Sequence, residues 1–231
     1  FGYKREGYYV DYVQDILENS IEGGRKKVQN GGYKVYTTIN PKLQQAARNA
    51  MRNVLSRYPG DPPSAAVVMI DAHNGRVMAM ASSEEYNRKN LFNVAGPQAK
   101  RSAGSTFKTF VLTAALKEGI SPNTRYFSKS PLRLAGPGCP GVDPTFAVET
   151  YSKRGGGLKS ITQATVSSDN SVYAQMTCDL TPRKVFDMAR SMGVTSLVSN
   201  PRGKNDLVVS IGLGGLTNGV SVLDMARAYA P

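Results

Sequence analysis

A serine and a lysine three residues apart, Ser105 and Lys108, are the side chains of this sequence best suited to covalent chemistry. Residues at that spacing lie on one face of a helix, so a hydroxyl would stand beside an amine. Serine is a poor nucleophile until a base takes its proton. Lysine serves as that base only while it is neutral, which needs desolvation or a second nearby cation.

The position of Ser105 at a predicted helix start supports this chemistry. Ser105 directly follows Gly104, and the positive end of the helix dipole favours developing negative charge there. Its own backbone N–H could point at an oxyanion. An ordinary helix start, with Ser105 exposed and Lys108 solvated, explains the same spacing, so the pair alone leaves both interpretations open.

A second polar segment, Ser168-Asp169-Asn170, interrupts an otherwise apolar helical stretch between Ile161 and Cys178. Serine and asparagine lower helix propensity because their side chains compete for backbone hydrogen bonds. A break in the helix at this point would present the side chains of the segment.

Helices and a strand hairpin must position these two segments. The pattern predicts apolar strands at 65–70 and 77–81, joined by a tight turn at Asn74-Gly75. A buried stripe predicts a helix from Ser105 to Glu118, and Thr181-Pro182 starts another helix. A hairpin followed by helices indicates a mixed sheet covered by helices.

The regions around these elements have weaker patterns. Apolar spacing predicts a short helix over 8–17, and Gly-Gly pairs with a basic run predict a flexible linker over 22–32. Alternation predicts a strand over 33–39, and the composition of 126–157 predicts mostly loop. Asn40-Pro41 predicts a helix start, followed by an apolar face that consists of Leu43, Ala46, Ala47, Ala50, Met51 and Val54.

Composition narrows the classes of function. Among 231 residues, Lys and Arg outnumber Asp and Glu 29 to 17, a formal charge of +12. This charge favours an anionic neighbour, whether nucleic acid, an acidic polymer or a lipid surface, and does not choose among them. The longest apolar run has six residues, whereas a bilayer-spanning helix needs about 20. A single histidine, His73, excludes most zinc chemistry, and its place before the turn predicts a polar hairpin tip.

Cysteines and the chain end carry two further expectations. Cys139 and Cys178 lack metal-site spacing and are too few for a disulfide scaffold. We predict two unpaired thiols with Cys178 buried, the alternative being a pair in an extracytoplasmic protein. Ser221 and Asp224 predict the capped start of a helix, and the sequence stops at Pro231 inside that predicted helix. We therefore expect a piece of a longer polypeptide.

Ser-x-x-Lys together with Ser-Asp-Asn is typical of penicillin-binding proteins and class A β-lactamases. The chain resembles part of a class A penicillin-binding protein, the bifunctional peptidoglycan synthases. Residues 33–47 resemble their interdomain linker, 65–81 the first two strands of the transpeptidase domain, and 104–108 the nucleophile segment. Residues 210–230, with Gly212-Leu213-Gly214, resemble the stretch before the third motif of the family, and residues 1–18 vaguely resemble the tail of the glycosyltransferase domain.

The resemblance implies a fold and a division of the chain. The expected fold is α+β, the penicillin-binding/β-lactamase-like transpeptidase fold, an antiparallel sheet flanked by helices and incomplete in this chain. Residues 1–64 would be the glycosyltransferase-domain tail and linker, and residues 65–231 the N-terminal part of the transpeptidase domain. No cofactor and no metal are implied.

The resemblance also implies a role for each motif residue. Ser105 would attack the carbonyl between two D-alanines of a peptidoglycan stem peptide, and Lys108 would take its proton. Ser168 would relay a proton to the leaving D-alanine, and Asn170 would hold Lys108 and the substrate amide. A second stem peptide would resolve the ester as a cross-link, and β-lactam antibiotics would acylate Ser105.

One motif of the family is missing, because no Lys-Thr-Gly or Lys-Ser-Gly occurs in the sequence. That motif would supply an oxyanion N–H and a lysine that depresses the pKa of the amine base, and losing one oxyanion donor costs about 100- to 1000-fold in rate. We expect a second chain or a downstream segment to carry it. We also expect an extracytoplasmic protein, anchored in the cell membrane through an N-terminal segment outside this sequence.

Two other classes of function remain open at this point. One is a non-catalytic fragment that binds cell-wall glycopeptide or anionic polymer, and the other is a penicillin-sensing or β-lactamase-like serine hydrolase. The linker-like residues 33–47 favour the bifunctional synthase over the hydrolase. Nucleic acid is not an expected partner, since no nucleic-acid module or aromatic-basic platform is recognisable.

Overall fold

The computed structural model describes residues 6–134, 139, 146–200 and 205–230. The helices are α1 (Gly7–Ser20), α2 (Gly24–Asn30), α3 (Pro41–Leu55), α4 (Lys108–Lys117), α5 (Ile161–Val166), α6 (Asn170–Leu180), α7 (Pro182–Ser191) and α8 (Val222–Ala228). The strands are β1 (Ala66–Ile70), β2 (Val77–Ser82), β3 (Arg125–Ser128), β4 (Leu132–Arg133), β5 (Ala147–Val148) and β6 (Gly157–Ser160). Short 3-10 helices span Gly104–Phe107 and Val209–Leu213.

The chain divides into two compact units, one formed by Phe1–Lys100 with Ser221–Pro231 and the other by Arg101–Val220. This division into compact units does not test the predicted domain boundary between residues 64 and 65, which stays a prediction. None of the helices in the described ranges is both long enough and apolar enough to cross a membrane.

The first unit is built on the antiparallel hairpin of β1 and β2, with helices on both faces. Successive strand residues point to opposite faces. Ala66, Val68 and Ile70 therefore pack in the cluster formed by α1 and α8, whereas Val67 and Met69 pack against α3. The predicted hairpin is confirmed, with β2 one residue longer than expected.

The outer edge of β2 is covered by polar groups rather than by another strand. Gln44 of α3, only 2% exposed, donates from Nε2 to the Met80 carbonyl at 2.9 Å and accepts the Met80 N–H at Oε1 at 2.9 Å. The Asn40 N–H donates to the Met78 carbonyl and the Thr38 hydroxyl to the Val77 carbonyl. An unpaired strand edge is thereby satisfied without a ladder.

Four local predictions differ from this structure. Residues 33–39 form no strand, although the Thr38 hydroxyl bonds the edge of β2, and the predicted linker over 22–32 contains α2. The predicted loop over 126–157 contains most of β3 together with β4 and β5. The predicted apolar face of α3 is turned, because Gln44 is buried with Ala47 and Met51 while Val54 is 67% exposed. The Gln44 amide, which bonds the edge of β2, is therefore buried in the position that the apolar pattern predicts for Leu43.

The second unit is mainly helical. α4, α6 and α7 pack on one another and on the 3-10 helix Val209–Leu213. Their buried side chains include Phe110 of α4, Tyr173 of α6 and Phe186 of α7. β3 pairs with β6 and β4 with β5, both antiparallel. The predicted helices from Ser105, Ile161 and Pro182 are confirmed, as is the interruption between α5 and α6.

The prediction of two unpaired thiols is wrong. Cys139 and Cys178 form a disulfide that joins the segment around residue 139 to α6, and Val148 and Ala174 pack beside it. The two cysteines are 39 residues apart. No spacing rule relates them in sequence, so only the fold brings them together. Closing a loop of that length stabilises a protein by about 2–4 kcal/mol.

Gln44→Leu should lower the free energy of unfolding by about 2–3 kcal/mol, because it leaves the buried Met80 N–H and carbonyl without partners. Urea unfolding followed by circular dichroism measures the loss. Gln45→Leu is the matched control, since Gln45 is exposed and its side chain bonds the exposed face of its own helix at Asn49. Equal losses in the two variants would contradict this role of Gln44.

Candidate active site

Ser105 and Lys108 lie on one turn of helix in the second unit. Ser105 belongs to the 3-10 helix Gly104–Phe107, and Lys108 follows as the first residue of α4. Residues three apart lie on one face of a helix, so the side chains of Ser105 and Lys108 leave the same side of this helix start. Ser105 is exposed, whereas Lys108 is only 5% exposed. The helix start therefore offers a hydroxyl to solvent above a buried amine.

A glycine turn supports this helix start. Gly214 has a φ of +76°, and a Cβ at this position would overlap the backbone of Gly104. Ser102 Oγ donates to the Gly214 carbonyl at 2.8 Å. The close approach explains why glycine is needed at residue 214, which caps the end of the 3-10 helix Val209–Leu213.

The Ser168-Asp169-Asn170 segment forms the predicted break between α5 and α6. Asp169 is the N-cap of α6, and its carboxylate accepts the backbone N–H groups of Ser171 and Val172. Ser168 has a φ of +49°, a left-handed conformation that costs a non-glycine residue about 1 kcal/mol or more. Such a conformation persists only where surrounding contacts hold it.

The break brings three polar groups to the amine of Lys108. Nζ donates to the Ser168 carbonyl at 2.6 Å, to Ser168 Oγ at 3.1 Å and to Asn170 Oδ1 at 2.7 Å. Nζ also lies 5.3 Å from the centroid of the Tyr173 ring. Lys108, Ser168 and Asn170 are thus brought together across 60 and 62 residues of sequence.

Burial changes the proton affinity of this amine. Desolvation lowers the pKa of Lys108 from 10.5 to about 8, and the Asp169 carboxylate acts in the opposite direction. At pH 7 roughly a tenth of the Lys108 side chains are therefore neutral, compared with fewer than about one in a thousand for an exposed lysine. The site holds an amine that can accept a proton near neutral pH.

Asp169 is the member of the Ser-Asp-Asn segment to which the sequence analysis assigned no role. Its side chain is 2% exposed and is bonded by Ser128 Oγ at 2.6 Å, Lys159 Nζ at 2.8 Å and Ser171 Oγ at 2.7 Å. Burial alone would raise the pKa of Asp169, but the hydrogen bonds from Lys159, Ser128 and Ser171 hold it at about 2. Ser128 and Lys159 come from β3 and β6. The Ser-Asp-Asn segment marked the position of Asp169 in the sequence but did not indicate these partners.

Asn170 and His73 occupy different surroundings. The amide of Asn170 bridges two groups, since Oδ1 accepts from Lys108 and Nδ2 donates to the Glu149 carbonyl at 2.8 Å.

His73 lies exposed beside the hairpin turn of the first unit, where its backbone N–H bonds Asp71. Within the described residues, no group of three or more His, Cys, Asp or Glu side chains is placed to hold a metal.

The chemistry open to this arrangement is acyl transfer through a serine ester. An exposed hydroxyl, a buried amine of lowered pKa and a second hydroxyl bonded to that amine are the parts of an activated nucleophile. Triads of this logic are recognised by geometry and roles.

Comparison with known proteins places this geometry in a family. Residues 65–231 match the model of the penicillin binding protein transpeptidase domain. The chain is 35% identical over 211 residues to penicillin-binding protein 1A of Mycobacterium tuberculosis, across 86% of this chain and 23% of that protein. It is 34% identical over 230 residues to penicillin-binding protein 1A of Mycolicibacterium smegmatis, across 94% of this chain and 27% of that protein.

Solved structures agree with these relatives. PonA1 of M. tuberculosis, a penicillin-binding protein, superposes with a TM-score of 0.76 at 30% identity, over 96% of this chain and 55% of that one. The PonA1 structure in complex with penicillin V superposes with a TM-score of 0.77. The chain spans about a quarter of the length of these curated relatives. Its mixed helices and strands are part of the penicillin-binding/β-lactamase-like fold, and the chain belongs to the transpeptidase-domain family of class A penicillin-binding proteins.

Proposed function

We propose that this chain supplies the nucleophile-bearing part of a peptidoglycan D,D-transpeptidase site. The observation that carries the proposal is the buried Lys108 amine, which is bonded to Ser168 and Asn170 one helical turn from the exposed Ser105. Membership of the transpeptidase-domain family and the penicillin V complex of the relative PonA1 support it.

In the first half-reaction, Ser105 Oγ attacks the carbonyl carbon between the two terminal D-alanines of a stem peptide. The proton of Ser105 passes to neutral Lys108 Nζ as the C–O bond forms. When the C–N bond breaks, Ser168 Oγ gives its proton to the leaving amine of D-alanine and takes one from Lys108, to which it is bonded at 3.1 Å. Lys108 returns to the neutral form, and the products are an ester on Ser105 and free D-alanine.

In the second half-reaction, the amine of another stem peptide attacks the ester carbonyl. The new C–N bond is the cross-link, the C–O bond to Ser105 breaks, and the proton lost by the amine returns to Ser105 Oγ through Ser168 and Lys108. β-Lactam antibiotics enter by the same first step, in which their own amide bond opens. The nitrogen then stays attached to the acyl group, so no leaving group departs.

A Lys-Thr-Gly segment, on a downstream stretch or a second chain, would complete this pocket. It would add the second oxyanion N–H and a cation near Lys108. The proposed location is outside the cytoplasm, with anchoring in the cell membrane. The Cys139–Cys178 disulfide supports that location, because disulfides persist mainly in oxidising compartments.

Ser105→Ala should abolish covalent labelling by a fluorescent penicillin, because it removes the attacking oxygen. Intact mass spectrometry measures the adduct, in protein that joins this chain to a Lys-Thr-Gly segment. Since Ser105 is exposed, the melting temperature should change by less than about 2 °C.

Thr106→Ala is the matched control, because Thr106 is the exposed neighbour of Ser105 on the same turn; it should still label. Labelling that survives Ser105→Ala would show the nucleophile to be misassigned. Adduct loss within minutes would indicate a β-lactamase-like hydrolase. No adduct on the unaltered protein would favour a non-catalytic cell-wall-binding fragment.

The acylation rate should rise about tenfold per pH unit below pH 7 and level off at or below about pH 8. The base is active only when deprotonated, so activity is lost as the pH falls below the pKa of Lys108. A cation from the Lys-Thr-Gly segment can only lower that inflection. Stopped-flow acylation between pH 5.5 and 10 measures it.

Asp169 does not contribute to this profile, because its pKa of about 2 keeps it ionised throughout the range. Thermal melts at each pH serve as the control for unfolding. An inflection near the ordinary lysine value, above about pH 10, would contradict the role of Lys108 as a desolvated base.

A further inference from the structure

Ser167 and Asp169, the two residues that flank Ser168, are both bonded to the amine of Lys159. Lys159 Nζ on β6 donates to Ser167 Oγ at 3.3 Å and to Asp169 Oδ2 at 2.8 Å. Ser168, between them, carries the left-handed backbone conformation and presents its carbonyl and hydroxyl to Lys108. One side chain from a neighbouring strand therefore ties both ends of the strained residue.

We propose that Lys159 is a positioning residue for the acylation chemistry. Lys159 holds the Ser168 turn against Lys108, and its charge offsets the buried charge of Asp169 beside the Lys108 amine. The inference rests on the proposed function, for which Lys108 is the base. Lys159 itself would touch neither substrate nor the reacting atoms.

The surroundings of Lys159 are shaped to keep its amine in place. A Cβ at Gly156 would overlap the end of the Lys159 side chain, so the absence of a side chain there leaves the space that the lysine fills. The Gly156 N–H donates to Ser128 Oγ at 3.0 Å, and that hydroxyl donates to Asp169 Oδ2. The glycine turn, β3 and β6 thus converge on one carboxylate.

The charges around Lys108 give this pair an electrostatic consequence. The Asp169 carboxylate at the start of α6 raises the pKa of Lys108, against the larger effect of burial. Lys159 faces Asp169 across an ion pair whose side chains are 23% and 2% exposed. A cation close to the carboxylate weakens its field at Lys108 and itself disfavours a second positive charge. Both effects favour the neutral amine.

Other charged groups on the packed elements are turned to different partners. The ring of Tyr173 lies beside Lys108 on α6, and Asp179 at the far end of that helix accepts a hydrogen bond from Tyr126 of β3. On α7, Arg183 pairs with Asp187 and Lys184 with Glu118, and these side chains are well exposed. Among the described residues, the Asp169 carboxylate, which is paired with Lys159, is the charged group that changes the pKa of Lys108.

Lys159→Met should raise the pKa of Lys108 by about half a unit to one unit. Titration of the Lys108 ¹³Cε resonance by NMR measures it directly on this chain, with the resonance assigned by its loss in Lys108→Arg. In protein joined to a Lys-Thr-Gly segment, penicillin acylation at pH 7 should fall about three- to tenfold and recover largely by pH 10.

Three variants separate this effect from simple damage. Lys153→Met removes one positive charge from an exposed position and should leave both readouts unchanged. Lys159→Arg keeps the charge and should restore most of the original profile. Gly156→Ala keeps Lys159 but crowds its amine, and should shift the Lys108 pKa upward by a smaller amount; it also serves if Lys159→Met does not fold.

An unchanged Lys108 pKa in both Lys159→Met and Gly156→Ala would overturn the inference, as would an acylation rate reduced equally at every pH. A Lys153→Met shift as large as that of Lys159→Met would also overturn it, since contact would then be irrelevant. Failure of the proposed function can be told apart from failure of this inference. Labelling would then survive Ser105→Ala, whereas the NMR titration of Lys108 would still measure the effect of Lys159→Met.

Discussion

The structure of the second unit depends on one constraint, the burial of a lysine amine at the start of a helix. A buried ammonium group is costly unless polar atoms surround it. Here the carbonyl and hydroxyl of Ser168 and the amide oxygen of Asn170 accept from Lys108. Three acceptors are enough to keep the amine inside, yet burial still lowers its pKa to about 8. Desolvation of the Lys108 amine costs stability, and the same desolvation lets the amine act as a base near neutral pH.

The acceptors reach Lys108 only because the helix between Ile161 and Leu180 is broken at Ser168. A continuous helix would bury its backbone carbonyls in i to i+4 bonds and could not turn one toward the amine. The break is stabilised by the buried carboxylate of Asp169, which caps α6 and is bonded by Ser128 and Lys159. Strain at one residue is thus compensated by a network that reaches two strands.

The first unit shows the same use of polar side chains for structure. Gln44 reproduces with its amide the two hydrogen bonds that a neighbouring strand would make to Met80. The apolar faces of the hairpin are then free to pack helices on both sides. Both units bury a polar side chain, Gln44 in one and Asp169 in the other, and each satisfies backbone atoms that would otherwise be buried without partners.

Local features of the sequence were sufficient for most of the elements, whereas the four motif residues, whose roles stay a prediction, were selected by their match to a family pattern. The Asn74-Gly75 turn, the Asn40-Pro41 helix start and the Ser105 to Lys108 spacing are short-range signals, each decided by neighbours along the chain. The partners of Asp169, the disulfide between Cys139 and Cys178 and the burial of Gln44 were decided only by the tertiary structure. Each joins residues well separated in the chain, and a hydrogen bond or disulfide of that kind depends on where the fold brings two side chains. No periodicity or spacing encodes that meeting point.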